Sequence, residues 1–110
     1  MGKKDSSLQP GGAAMLVLAL LKEREMYGYQ IIEELERRSN QVFQLKEGTL
    51  YPVLHSLERD KLVTAREQET PAGRKRRYYH ITAAGRRARE EKREQWTAYS
   101  KAVTAILAGA

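Results

Sequence analysis

The sequence predicts a mainly α chain that carries one small β-hairpin and ends in a long helix. Three observations lead there. Apolar residues recur at helical spacing in successive stretches of the first 60 positions; two strand-like runs then bracket a segment rich in turn formers; and after Gly85 no Gly or Pro interrupts the pattern up to Leu107.

Residues 1–12 read as a flexible polar leader, although Met1-Gly2-Lys3-Lys4-Asp5-Ser6 also fits a permissive myristoylation pattern. From Ala13 to Leu21 the chain is apolar on nearly every side, so a helix there requires cover from its own domain and from something further. Tyr29 to Arg38 is amphipathic: Ile31, Ile32 and Leu35 form one face, and Glu33, Glu34, Glu36 and Arg37 the other. A third helix is expected from Glu47 to Asp60, with Leu50, Val53, Leu54 and Leu57 as its stripe. Pro52 is tolerated only near a helix start, where a missing N–H costs nothing, so it is expected in the first turn. Leu62 to Glu67 and Arg76 to Ile81 read as strands joined by Gln68-Glu69-Thr70-Pro71-Ala72-Gly73. Strand alternation puts Tyr79 and Ile81 on the core face, opposite Tyr78 and His80.

Thr82 is the expected N-cap of the last helix, which runs from Ala83 to about Leu107. In its second half Trp96, Tyr99, Val103 and Ile106 alternate three and four apart, as in the seam of a short coiled coil. Three helices followed by a hairpin is the order of a winged helix-turn-helix domain, here residues 13–82, with residues 83–110 as a dimerisation helix.

Composition narrows the function. The 110 residues contain no Cys, which excludes thiolate metal sites, disulfides and thiol nucleophiles, and only His55 and His80 remain as imidazoles. Neither His pairs with a nucleophile or an acidic cluster, so neither catalysis nor a metal or other cofactor is expected. No apolar run approaches the roughly 20 residues that cross a bilayer, and no signal peptide is visible; the expectation is a cytoplasmic protein without a membrane partner. The net charge of +6 is unevenly spread: residues 61–93 hold 11 Lys plus Arg against 4 Asp plus Glu, so this one segment accounts for the whole excess. Such a cluster suits a polyphosphate partner, which releases counterions when its charges are neutralised.

Several separated motifs make the sequence resemble the PadR family of bacterial transcriptional regulators. They are Met26-Tyr27-Gly28-Tyr29-Gln30-Ile31, Glu47-Gly48-Thr49-Leu50-Tyr51-Pro52-Val53-Leu54 with Leu57-Glu58, Gly73-Arg74-Lys75-Arg76-Arg77-Tyr78-Tyr79, and Ile81-Thr82-Ala83-Ala84-Gly85. The resemblance covers about Ala14 to Leu107, and the single short terminal helix resembles the compact subfamily. It implies a repressor that binds a near-palindromic operator in double-stranded DNA as a homodimer, with the third helix in the major groove. The Gln68 to Ala72 stretch does not fix the wing's length or conformation.

On that basis the candidate DNA-binding residues are Tyr27, Lys46, Thr49, Tyr51, His55, Arg74, Lys75 and Arg76. Tyr51 is assigned to the groove because Leu50 takes the apolar stripe, with simple packing as the alternative. Tyr27 stands between a phosphate contact and a buried hydroxyl with a backbone partner. His55 lies one turn beyond Tyr51 and is either a second groove residue or a surface His. Trp96, Tyr99, Val103 and Ile106 are the candidate dimer seam. The resemblance further implies that an aromatic at the place of Trp96 can line a cavity for a small planar, apolar or cationic effector. The competing function is a winged-helix module that binds another protein, which the basic hairpin disfavours.

Overall fold

A computed structural model describes residues 12–109; the leader through residue 11, with its myristoylation-like pattern, lies outside the described residues. Its elements are α1 (Gly12–Glu23), β1 (Met26–Tyr27), α2 (Gly28–Arg38), α3 (Glu47–Arg59), β2 (Val63–Glu69), β3 (Lys75–Ile81) and α4 (Ala83–Leu107). Gly12, expected in the leader, already belongs to α1.

The sheet departs from the expected two strands. Met26 and Tyr27 pair antiparallel with Tyr79 and Tyr78, giving a three-stranded sheet in the order β1-β3-β2. Two residues are too few to show alternation, and their apolar character is shared with the helices on either side. The hairpin is also longer than expected: β2 runs two residues further, to Glu69, and β3 begins one earlier, at Lys75. Its register pairs Val63 with Ile81 and Glu69 with Lys75.

One core unites these elements. Val17, Leu18 and Leu21 of α1, Ile31 and Leu35 of α2, and Leu50, Leu54 and Leu57 of α3 meet Met26, Val63, Tyr79 and Ile81 of the sheet, all buried. Tyr79 and Ile81 thus occupy the core face that strand alternation assigned them. On α1, Leu16 and Ala14 are only partly covered within the single chain, so its outer side lacks the all-round burial that its composition requires.

Pro52 is a correction. It is the sixth residue of α3, past the first turn, because the helix opens at Glu47 with Leu50 N–H donating to the Lys46 carbonyl at 2.9 Å. The proline therefore removes a ladder bond to the Gly48 carbonyl. Packing of Leu50, Leu54 and Leu57 holds the helix together across that gap.

Thr82 fixes the join between sheet and α4. Its hydroxyl accepts from the Gly85 N–H at 3.0 Å and donates to the Lys61 carbonyl at 2.8 Å, while its own N–H donates to the Leu62 carbonyl at 3.0 Å. Gly85 is buried against Leu62, just ahead of β2, where a Cβ would collide with the Leu62 carbonyl oxygen. Beyond that anchor α4 runs along α1 with Ala88 against the core, and in its second half Trp96, Tyr99 and Ile106 are exposed while Val103 is half-buried.

Candidate nucleic-acid interface

The loop that presents the basic arm is set by local geometry. Between β2 and β3 the Gly73 N–H donates to the Thr70 carbonyl and the Thr70 N–H to the Arg74 carbonyl, both at 2.8 Å, and the Thr70 hydroxyl accepts from the Arg74 N–H at 3.2 Å. Gly73 has φ +85°, the left-handed region where a side chain is strained. The turn therefore spans Thr70 to Arg74, tighter than the sequence suggests, and it sends Arg74 and Lys75 into solvent.

Not all the basic residues of this arm are available to a partner. Arg77 donates to Glu58 of α3 at 2.8 Å, and that ion pair holds its guanidinium firmly protonated. Arg74, Lys75 and Arg76 make no ion pair among the described residues. The three cations proposed as DNA contacts are thus those without a carboxylate partner among the described residues, and the fourth is a strut between wing and α3.

On α3, Lys46 is the exposed N-cap residue and makes no side-chain cap bond. Thr49 is half-buried in the first turn; Tyr51 and His55 are exposed one turn apart. Tyr51 has a packing role as well, which the sequence admits only as an alternative. Its phenol lies against the first residue of α2, where a Cβ on Gly28 would stand 2.9 Å from the ring carbon Cζ and collide with the hydroxyl oxygen. Burial there, reinforced by the charge of Glu47, raises the Tyr51 hydroxyl's pKa and keeps it a neutral donor.

The geometry at Tyr27 is that of its backbone and its ring. Its N–H donates to Gln30 Oε1 at 3.1 Å, which caps the start of α2. Its ring meets Tyr78 edge-on, with centroids 5.3 Å apart, and carries the Arg76 guanidinium 4.4 Å above its centre. A continuous run of contacts therefore links Tyr51 on α3, Gly28 and Tyr27 at the head of α2, and Arg76 near the turn of the wing. Sequence reasoning missed Gly28 beneath Tyr51 and the Glu58–Arg77 pair. Both are long-range, and the single signal for the first was a Gly placed at a helix start without a turn to explain it.

Trp96 and Tyr99 stack on one another with ring centroids 5.7 Å apart, far along α4 from the wing. Among the described residues no cluster of His, Asp or Glu could hold a metal ion. No described helix is long and apolar enough to cross a membrane.

Comparison with known proteins agrees with this arrangement. Residues 17–91 match the family described as the transcriptional regulator PadR-like family. A transcriptional regulator of Mycobacterium tuberculosis is 38% identical over 85 residues, covering 77% of this chain and 76% of that protein. Among solved structures, a PadR family transcriptional regulator from Eggerthella lenta superposes with a TM-score of 0.77 at 30% identity, covering 89% of this chain and 83% of that one. A transcriptional regulator from Clostridium thermocellum gives 0.80 at 28% identity, with 86% and 92% covered. A winged helix with a fourth, C-terminal helix is common to the fold and to the sequence motifs, and the chain belongs to the PadR family of transcriptional regulators, which are not enzymes.

Proposed function

We propose that this chain is a repressor that binds an inverted-repeat operator as a homodimer, placing α3 in the major groove and laying the wing along the phosphate backbone. The observation that carries this reading is the set of three wing cations, Arg74, Lys75 and Arg76, left without carboxylate partners beside a helix whose exposed start offers Lys46, Thr49, Tyr51 and His55. Cations on the backbone fix register, and side chains at the helix start read base edges.

The dimer rests on the partly covered outer side of α1 and the exposed Trp96, Tyr99 and Ile106 with half-buried Val103 on α4, which a second copy related by a two-fold axis would cover. Such a pair presents two third helices to successive major grooves, roughly 34 Å apart. The stacked Trp96 and Tyr99 would then wall a space between subunits suited to a planar apolar or cationic effector, which releases DNA to the extent that it prefers one dimer conformation.

The test is binding of the full chain to its own upstream DNA and to random duplex across a salt series. Replacing Arg74, Lys75 and Arg76 together by Ala should weaken both and flatten the slope of log affinity against log salt by about 1 for each phosphate no longer neutralised. An unchanged slope would remove the wing from the interface. Failure of the wild-type chain to bind either duplex would favour the protein-interaction module instead.

A further inference from the structure

The outer face of the sheet carries four side chains in a row. Arg66 of β2 lies 5.7 Å from the centre of the Tyr78 ring, Tyr78 meets Tyr27 edge-on at 5.3 Å, and Arg76 covers the far ring at 4.4 Å. The two ends of this row differ. At the inner end the Arg66 guanidinium is bound by the Glu25 carboxylate and by the Gln68 amide, so its charge is answered. At the outer end Arg76 has a ring beneath it and no carboxylate among the described residues. A guanidinium held on an aromatic face keeps its charge and its outward N–H groups while losing most of its freedom to rotate. Tyr27 itself cannot drift, because its backbone caps α2 through Gln30 and pairs with Tyr78 in the sheet.

We propose that Tyr27 serves DNA binding through its ring, as the platform that presents Arg76 to a phosphate or a groove, and that its hydroxyl takes no part. Tyr27 is then a positioning residue, and Arg76 is the contact. This rests on the reading of the wing as a DNA-binding element, and the wild-type chain serves as the control that separates the two.

The probe is a labelled random-sequence duplex at low salt, titrated with the full chain, so that no operator need be known. Tyr27→Phe keeps the platform and should bind within about twofold of the wild type. Tyr27→Leu keeps bulk but removes the cation–π contact, and should weaken binding roughly two- to fivefold per wing. In an Arg76→Ala background the same Tyr27→Leu change should have no further effect, since there is nothing left to present. Nuclear magnetic resonance of the free protein gives a second readout: ring-current shifts of the Arg76 side chain should survive in Tyr27→Phe and vanish in Tyr27→Leu. Equal losses in Tyr27→Phe and Tyr27→Leu would assign the function to the hydroxyl and overturn the proposal. So would a Tyr27→Leu loss that persists without Arg76, or an Arg76→Ala variant that binds as the wild type does. Absence of binding by the wild-type chain would instead refute the DNA-binding reading on which the proposal stands.

Discussion

On α3, Leu50, Leu54 and Leu57 recur three and four apart and are buried against α1, α2 and the sheet. Along the second half of α4, Trp96, Tyr99, Val103 and Ile106 follow the same spacing, yet Trp96, Tyr99 and Ile106 stand 50%, 62% and 77% exposed. The two stripes are equivalent as patterns. What separates them is connection: α3 is enclosed by elements on either side in sequence, whereas α4 leaves the domain only after packing along α1, with Ala88 against the core. Periodicity thus specifies that a face is to be covered and is silent about what covers it. Within one small domain the remaining cover has to come from outside, which is the physical ground for a second copy.

Truncating the covered stripe should have the largest effect. Leu54→Ala leaves a hole in the core and should lower unfolding stability by about 2 to 5 kcal/mol. Urea unfolding, read by circular dichroism at one fixed protein concentration, measures the loss. A change under about 1 kcal/mol would mean that the site collapses freely and that α3 is not locked by this stripe.

Ile106→Glu probes the uncovered stripe. Placing a carboxylate in an apolar seam should weaken self-association by about tenfold or more and leave the helical signal of each folded chain in place. Sedimentation velocity across a dilution series reads the shift. An unaltered association constant would show that α4 does not form the seam.

Gly28→Ala sharpens the contrast at the point where α3 touches α2. The new Cβ displaces the Tyr51 ring, at a cost of about 1 to 3 kcal/mol from overpacking. Combining it with Tyr51→Ala should relieve most of that cost, because the colliding atoms are gone. Additive losses in thermal or urea unfolding would place the clash elsewhere.

The smallest effect belongs to the charged rim. Glu34 accepts hydrogen bonds from Arg37 and Arg38, and these, Arg37 foremost, pull its carboxyl down to about 2 from the ordinary 4.5. A carboxyl depressed in the folded state stabilises it above the unfolded value, and that contribution is lost as pH falls from about 4.5 toward about 2. Arg37 and Arg38 are exposed to solvent beside a half-buried Glu34, so screening should keep the change small and high salt should shrink it further. Glu34→Gln should flatten this part of the acid limb of the urea midpoint against pH. An acid limb identical in both proteins would remove Glu34 from it.

Much of the architecture was legible because it is local. The stripe of α3, the Thr82 cap, the core assignment of Tyr79 and Ile81 and the extent of α4 all follow from spacing within a few residues. What was not legible depends on chain segments that meet only in the fold. The pairing of Met26 and Tyr27 with β3, the ring of Tyr51 over Gly28 and the strut from Glu58 to Arg77 each join residues at least 19 positions apart. Pro52 misled for another reason: a rule about single helices was overridden by tertiary packing, which holds α3 together across one missing bond. Among the candidate site residues, the basic run Arg74 to Arg77 was visible as a charge cluster, but neither the commitment of Arg77 to Glu58 nor the seat of Arg76 on the Tyr27 ring was.

Sedimentation equilibrium of the full chain, alone and with a duplex carrying the inverted repeat proposed as its operator, separates a dimer from a monomer in both states. The expected result is a dimer at micromolar concentration without DNA and two protomers on each duplex with it, since the proposed second copy would close the stripe of Trp96, Tyr99, Val103 and Ile106 before DNA is met. A monomer at that concentration, or one protomer on each duplex, would contradict it.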